Sequence, residues 1–330
     1  MARAVFPCIL SSVRAASGMP PSPRRAAVVV TLIAALFVPQ PGHAWGREGH
    51  RIVARIATKN LWQTTRNKLG AILGLTTDAA LENAMATAAI WPDRIDRGTT
   101  GTARWHFINV PISAPFSIAG HCANHDCVID RIDEMRNRLL MNQKGFALLA
   151  PPDPPRSTTS QELAFLVHFV GDIHQPLHAA WNSDRGGGCV PVAKPIVHDD
   201  GNPNTTDLHI AWDLDTVLTA MNGHGGSEQA TAAALFKRFK NGAVVSQGTP
   251  VDWARESNEI ARKAIYQKFG IPTYKATGGD CAVGIKPVAI TPSYLESNVA
   301  IVERRLMEAG IRLSNVLNEI CAGRGCAAKP

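Results

Sequence analysis

The chain has 330 residues, 45% of them hydrophobic and only 18% charged, with a formal net charge of +7 at pH 7. That balance supplies enough apolar surface for a buried core and excludes a largely disordered chain; the length suits one large or two ordinary domains. Much of the basicity is local. Removing residues 1–44 takes Lys+Arg from 34 to 30 against 27 Asp+Glu and lowers the charge from +7 to +3, so charge alone is weak ground for a nucleic-acid surface.

At the start of the chain, Arg24 and Arg25 precede an apolar run over residues 26–38, which ends in Pro39 and then Gly42-His43-Ala44. This is the layout of a secretory signal with small residues before a cleavage point. The run has 13 residues, where a spanning helix needs roughly 20. Residues 1–44 therefore read as a signal peptide rather than a membrane anchor, with Met19 as an alternative start. The mature chain then begins at Trp45, is secreted or periplasmic, and has no stable membrane association.

Apolar residues at three- and four-residue spacing predict helices over 48–57, 63–73, 79–90, 129–143, 160–173, 208–221, 229–239, 251–269 and 294–320. Ser160 before Gln161-Glu162 and Thr291-Pro292 are start signals. Strand signals are few, and Pro/Gly-rich stretches fall at 151–156, 186–206 and 278–292. With no fixed-period repeat and no composition break, residues 45–330 read as one all-α domain with long loops and little strand. The stretch after Asp184 exceeds ordinary connections, so it is either functional or tied down by Cys189.

Loss of Cys8 with the signal leaves Cys122, Cys127, Cys189, Cys281, Cys321 and Cys326, an even count that favours disulfides in an exported chain. The close spacings suggest local bridges, Cys122 with Cys127 and Cys321 with Cys326, although a structural zinc site is the alternative. Cys189 with Cys281 is one option for the remaining pair, and the sequence leaves the pairing of Cys189, Cys281, Cys321 and Cys326 open.

The chemistry-bearing residues concentrate in two stretches. In His168-Phe-Val-Gly-Asp172-Ile-His-Gln-Pro-Leu-His178, positions four apart on a helix share one face, so His168 and Asp172 can hold one metal ion. Asp172 has two oxygens and can bridge two ions, and His178 lies a little further along the same cavity. His209-Ile-Ala-Trp-Asp213 repeats the imidazole and carboxylate pair at the same spacing, with His50, His106 and Asp93 also available. Nitrogen and carboxylate ligands without thiolate favour zinc over manganese or iron.

Together, Trp45-Gly-Arg-Glu-Gly-His50, Trp91-Pro-Asp93, Trp105-His106-Phe107, the two stretches above and Ala309-Gly-Ile-Arg-Leu-Ser314 resemble the class I zinc-dependent nucleases. These are the S-one/P-one type single-strand-specific nucleases and 3′-nucleotidases. The resemblance runs in order from Trp45 to about Asn318. It implies a mostly helical phospholipase C/nuclease-like fold with three zinc ions: Asp93, His106, His168 and Asp172 on one, and His178, His209 and Asp213 on a second. Trp45, through its α-amino nitrogen and carbonyl oxygen, would hold a third with His50 and the bridging Asp172. A zinc-bound water held among Asp93, His106, His168, Asp172, Trp45 and His50 would be the catalytic nucleophile.

The same resemblance implies hydrolysis of single-stranded DNA and RNA to 5′-mononucleotides and cleavage of 3′-nucleotides, by a protein expected to be a monomer. Phe107 matches the base-stacking residue of the family, core packing being the other reading of this ring. Asn109 stands where Asp often contacts the base. Asp96, flanked by Arg94 and Arg97, replaces a common basic residue, and Asp207 replaces a common Asn. His174 is expected to play a hydrogen-bonded structural role, and His121, His125, His198 and His224 to be surface residues. Trp62, Trp181 and Trp253 are expected in the core. The rival reading is a three-zinc phospholipase C, which typically has Glu at the position of Asp213.

Overall fold

The computed structural model describes residues 45–95, 100–141, 161–197, 203–239, 246–275, 281–323 and 326. Their order is α1 (Gly46–Asn60), α2 (Gln63–Leu73), α3 (Asp78–Ala88), α4 (Val128–Leu140), α5 (Gln161–Asp172), β1 (Pro191–Val197), β2 (Pro203–Asp207), α6 (residues 208–222), α7 (Glu228–Phe239), α8 (Pro250–Ile260) and α9 (Pro292–Ala322). The chain is mostly helical. The two strands form a small antiparallel hairpin inside the stretch expected to be a loop.

Local chemistry explains the helix ends. Thr249 and Asp252 form a reciprocal capping box at the start of α8, with Pro250 in the first turn. Thr291 accepts the Tyr294 N–H at the start of α9, again ahead of a proline. The α2 helix stops at Gly74, which is left-handed, while the Leu75 N–H returns to the Gly70 carbonyl. Ser160 lies outside the described residues, as does the end of the expected 129–143 helix.

The α5 helix is buried around its whole circumference from Glu162 to Asp172, as expected of a helix enclosed by others, with His168 and Asp172 as a polar pair on an otherwise mostly apolar surface. It contacts α1, α3, α4 and α9. The α9 helix has 31 residues, roughly 46 Å at 1.5 Å per residue, and runs along α1. A Cβ at Gly310 would stand 2.4 Å from Ile56 Cγ2, so only glycine permits this approach of α9 to α1.

Disulfides join Cys122 to Cys127, Cys189 to Cys281 and Cys321 to Cys326. The thiols are therefore spent on bridges, which fits an oxidising compartment. Four expectations are corrected, two of them at Trp181, half-buried rather than in the core, and His121, half-buried rather than on the surface, while His198 lies outside the described residues. Trp62 is 59% exposed, because it sits at the N-cap of α2 where its ring leaves the core. His224 is half-buried, with Nε2 2.6 Å from Glu303 Oε1 on α9.

Candidate metal centre

Two side chains of α5 start the site. His168 and Asp172 lie one turn apart, with His168 Nε2 3.3 Å from Asp172 Oδ2. That same oxygen is 3.0 Å from Nδ1 of His106, at the end of a 3-10 turn over Ala103–His106. The other oxygen, Oδ1, is 3.3 Å from Nε2 of His50 on α1. Asp172 thus faces different imidazoles with its two oxygens. Asp93, in the turn after α3, places Oδ1 3.3 Å from His168 Nε2 and 3.8 Å from His106 Nδ1.

The gap beside Asp172 is what admits His50. The preceding residue is Gly171, and a Cβ there would stand 2.7 Å from His50 Nδ1. With that face bare, the His50 ring stacks on His168 at 3.9 Å and 13°.

The second cluster forms across the 3-10 turn Pro176–Ala179 and α6. His178 Nε2 is 3.1 Å from His209 Nε2, which is 3.4 Å from Asp213 Oδ2. Asp213 lies where α6 widens to a π-helix over Ala211–Asp215, a distortion common at functional sites. Asp207 caps α6 by accepting the Ile210 N–H at 2.9 Å, so it serves the role open to Asn at the same place. Gly186 closes the cluster from behind: at φ +60 it tolerates a left-handed backbone, and its carbonyl accepts His209 Nδ1–H at 2.8 Å.

These hydrogen bonds set the tautomers. His168 donates Nδ1–H to the Ala89 carbonyl at 2.7 Å, and His178 donates Nδ1–H to the His106 carbonyl at 2.6 Å. With Nδ1 spent on carbonyls, the Nε2 lone pairs of His168, His178 and His209 point inward, an arrangement typical of metal-ligating histidines. Two such lone pairs 3.1 Å apart repel unless a proton or cation lies between them.

Electrostatics point the same way. Burial lowers the His106 pKa to about 4, only partly offset by Asp172. At His168 burial also disfavours charge, but Asp172 and Asp93 outweigh it and raise the pKa to about 8. Burial and then His209 hold His178 well below the usual imidazole range, while at His209 burial also disfavours charge but Asp213, the Gly186 carbonyl, Asp207 and Asp184 together outweigh it and raise the value. In each cluster burial thus keeps one imidazole, His106 or His178, neutral, while the nearby carboxylates favour positive charge at the other, His168 or His209. A donor set of buried imidazole nitrogens and carboxylate oxygens without thiolate fits a divalent zinc ion.

Trp45 is buried and caps α1 in a left-handed conformation. Its carbonyl accepts the Gly49 N–H at 2.9 Å, and a Cβ on Gly46 would stand 3.1 Å from the Asp213 carbonyl. The start of α1 is thus packed beside the second cluster. Residues 106–110 alternate between buried and half-buried, so His106, Ile108 and Val110 face inward while Phe107 and Asn109 share the outer face. Asp96 and Arg97 lie outside the described residues; Arg94 is exposed.

Sequence reasoning missed three supports. Gln175 is buried between the clusters, donating Nε2–H to Asp213 Oδ1 at 2.5 Å and accepting the Leu177 N–H. Asp184, also buried, accepts from Tyr266 Oη at 2.8 Å, and burial raises its pKa. Arg305 and Arg312 of α9 reach the turn at His174 from the far side. Gln175 stood inside the ligand motif, which was the one available signal; the others depend on distant contacts.

Residues 45–322 match the protein family described as S1/P1 Nuclease. The chain is 27% identical over 310 residues to Nuclease S1 of Aspergillus oryzae, covering 88% of this chain and 96% of that protein. It is 26% identical over 298 residues to Endonuclease 2 of Arabidopsis thaliana, covering 84% and 91%. It is 25% identical over 289 residues to Nuclease P1 of Penicillium citrinum, covering 84% and 97%.

Proposed function

Because the chain belongs to the S1/P1 nuclease family, whose members are hydrolases acting on ester bonds, we propose that it is an exported, zinc-dependent, single-strand-specific nuclease. It cuts single-stranded DNA and RNA to 5′-mononucleotides, removes phosphate from 3′-nucleotides, and acts as a monomer. Residues 1–44 are its signal peptide and residues 45–330 its nuclease domain. The observation that supports this most strongly is the pair of buried imidazole and carboxylate clusters linked through residues 168–178.

In this reading Asp93, His106, His168 and Asp172 hold one zinc, and His178, His209 and Asp213 a second. Trp45, His50 and Asp172 hold the third. Zinc at such a centre supplies Lewis acidity toward phosphate oxygens and makes a water acidic enough to lose its proton near neutral pH. The protein fixes the ligands in advance: the Ala89, His106 and Gly186 carbonyls orient three imidazoles, and Gln175 orients Asp213. Phe107 and Asn109 share a face at roughly 7 Å spacing along extended chain. The ring accepts any base by stacking, and the carboxamide offers a donor and an acceptor to its edge.

The Trp45 nitrogen becomes a good ligand only after cleavage at Ala44, because an amide nitrogen is a poor donor and a free α-amino group has a pKa near 7.7–8.0. One extra residue before Trp45 is expected to cost the third zinc. Full zinc content and normal activity in that variant would remove Trp45 from the ligand set.

The function is tested by offering the mature protein single-stranded DNA, the matching duplex and phosphatidylcholine side by side in zinc. Cleavage of the single strand to 5′-mononucleotides, with the duplex much slower and the lipid intact, is expected. Lipid hydrolysis without strand cleavage would overturn the reading.

A further inference from the structure

Nine residues beyond Phe107, a second aromatic ring lies at a cavity that the proposed reaction does not use. This cavity, about 410 Å³, is bounded by Ile112 and Phe116 on one side and by Arg255, Asn258, Glu259 and Arg262 on the other. The size falls in the roughly 300–1,000 Å³ range of small-molecule sites. Its rim is open, with Ser113, Ala114 and Pro115 exposed.

The far wall is a single stripe of helix. Residues 255, 258, 259 and 262 recur at three- and four-residue spacing, which puts them on one face of α8 as it widens to the π-helix Ala261–Tyr266. Arg255 holds its guanidinium 5.2 Å from the centre of the Phe116 ring and is anchored to Asp252 at 2.7 Å. Glu259 pairs with Lys263 at 2.5 Å, which tempers its charge.

At the floor, Asn258 is only 4% exposed, and it donates both its amide hydrogens, to the Val110 carbonyl at 3.0 Å and the Ala179 carbonyl at 2.8 Å. Its carboxamide oxygen is then the polar atom this side chain has left for the cavity. Those two carbonyls belong to the segments carrying Asn109 and His178. Ile112 N–H also donates to the Trp181 carbonyl at 3.1 Å, so the cavity and the metal clusters sit on one stapled strip of chain.

We propose that this cavity is a distal subsite for one further nucleotide of a single-stranded substrate. The inference rests on the nuclease reading above. A base stacks on the planar Phe116 and Arg255 groups, the Asn258 oxygen accepts from an exocyclic amino group, and Arg262 takes the phosphate. Such a site needs an unstacked, unpaired base, so it favours single strands. It lies apart from Phe107 and adds reach along the strand rather than chemistry.

The test compares the mature protein with a Phe116→Ala, Arg262→Ala double variant and with Arg262→Glu. Affinity for a labelled, cleavage-resistant phosphorodithioate single strand of about ten nucleotides is measured by fluorescence anisotropy with zinc present. Hydrolysis of the unmodified strand of the same sequence and of a dinucleotide is measured in zinc. The double variant is expected to bind the long strand about tenfold more weakly and to raise its KM to match, with kcat and all dinucleotide kinetics unchanged. Arg262→Glu should flatten the salt dependence of binding by a slope of roughly 0.7. Unchanged long-strand affinity in both variants would overturn the subsite, as would an equal loss on the dinucleotide. Parent protein that binds the strand but never cleaves its unmodified form would overturn the nuclease reading and leave the subsite standing.

Discussion

The turn at residues 172–178 has two sides of opposite electrostatic character. Toward the clusters it presents Asp172 and His178, which meet further imidazoles and carboxylates, so the balancing positive charge comes from a proton on an imidazole or, in the proposed reading, from a bound cation. Toward α9 it presents His174, whose Nδ1–H donates to the Val170 carbonyl at 2.7 Å and whose Nε2 accepts from Arg312 at 2.9 Å. Arg305 reaches the His174 carbonyl at 3.1 Å. Glu256 takes both arginines at 2.7 Å, and Glu308 takes Arg305 at 2.6 Å. Burial, reinforced by Arg305 and Arg312, holds the His174 pKa well below the usual range, so this imidazole stays neutral. One short segment thus has its countercharges built into the chain on one side and, in the proposed reading, takes them from metal on the other. Substitutions on the two sides should fail differently.

The largest effect is expected on the metal side. Asp172→Asn removes the carboxylate that faces His50, His106 and His168, at a cost of several kcal/mol of transition-state stabilisation. That equals roughly a thousandfold in kcat/KM at 1.36 kcal/mol per factor of ten. Thermal unfolding of the metal-free protein should change little, because one like-charge neighbour is relieved where a hydrogen bond is weakened. A large activity loss with preserved metal-free stability is the signature to look for.

Arg312→Ala should give the reverse. It leaves Glu256 with a single arginine and His174 Nε2 without a donor, a loss of roughly 3 kcal/mol of folding stability. Denaturant titration of metal-free protein reads this directly. Zinc affinity in the surviving folded fraction should stay near that of the parent; a stability cost below about 0.5 kcal/mol would mean that the network behaves as an ordinary surface pair.

Gln175→Ala probes the boundary between the two sides and should be the smallest of the three in activity. Loss of the orienting hydrogen bond to Asp213 is expected to weaken zinc at the His178, His209 and Asp213 cluster by about 10–100-fold. Competition with a metal-binding dye would measure it, and unchanged affinity would confine Gln175 to capping the Pro176–Ala179 turn.

Much of the metal side was legible in the sequence because its information is short-range. His168 with Asp172, and His209 with Asp213, are set by helical spacing alone, and the bounds of α2 follow from apolar periodicity. The far side was not. Arg305 and Arg312 look like solvent-facing cations until α9 is packed against the 172–178 turn, and Glu256 meets them across 49 and 56 residues of sequence. The hairpin at 191–207 escaped because its prolines and glycines read as loop. The π-turn around Asp213 has no distinct sequence signature. Trp62 was misplaced because a tryptophan at a helix N-cap looks no different from one inside the helix.

Whether the clusters hold zinc, and whether that zinc is needed for cleavage, decides the proposed function. Native mass spectrometry of the mature protein, paired with single-strand cleavage before chelation, after chelation and after zinc is restored, measures both at once. Three zinc ions per chain are expected, with metal and cleavage lost together and recovered together. Undiminished cleavage by protein stripped of zinc would contradict it.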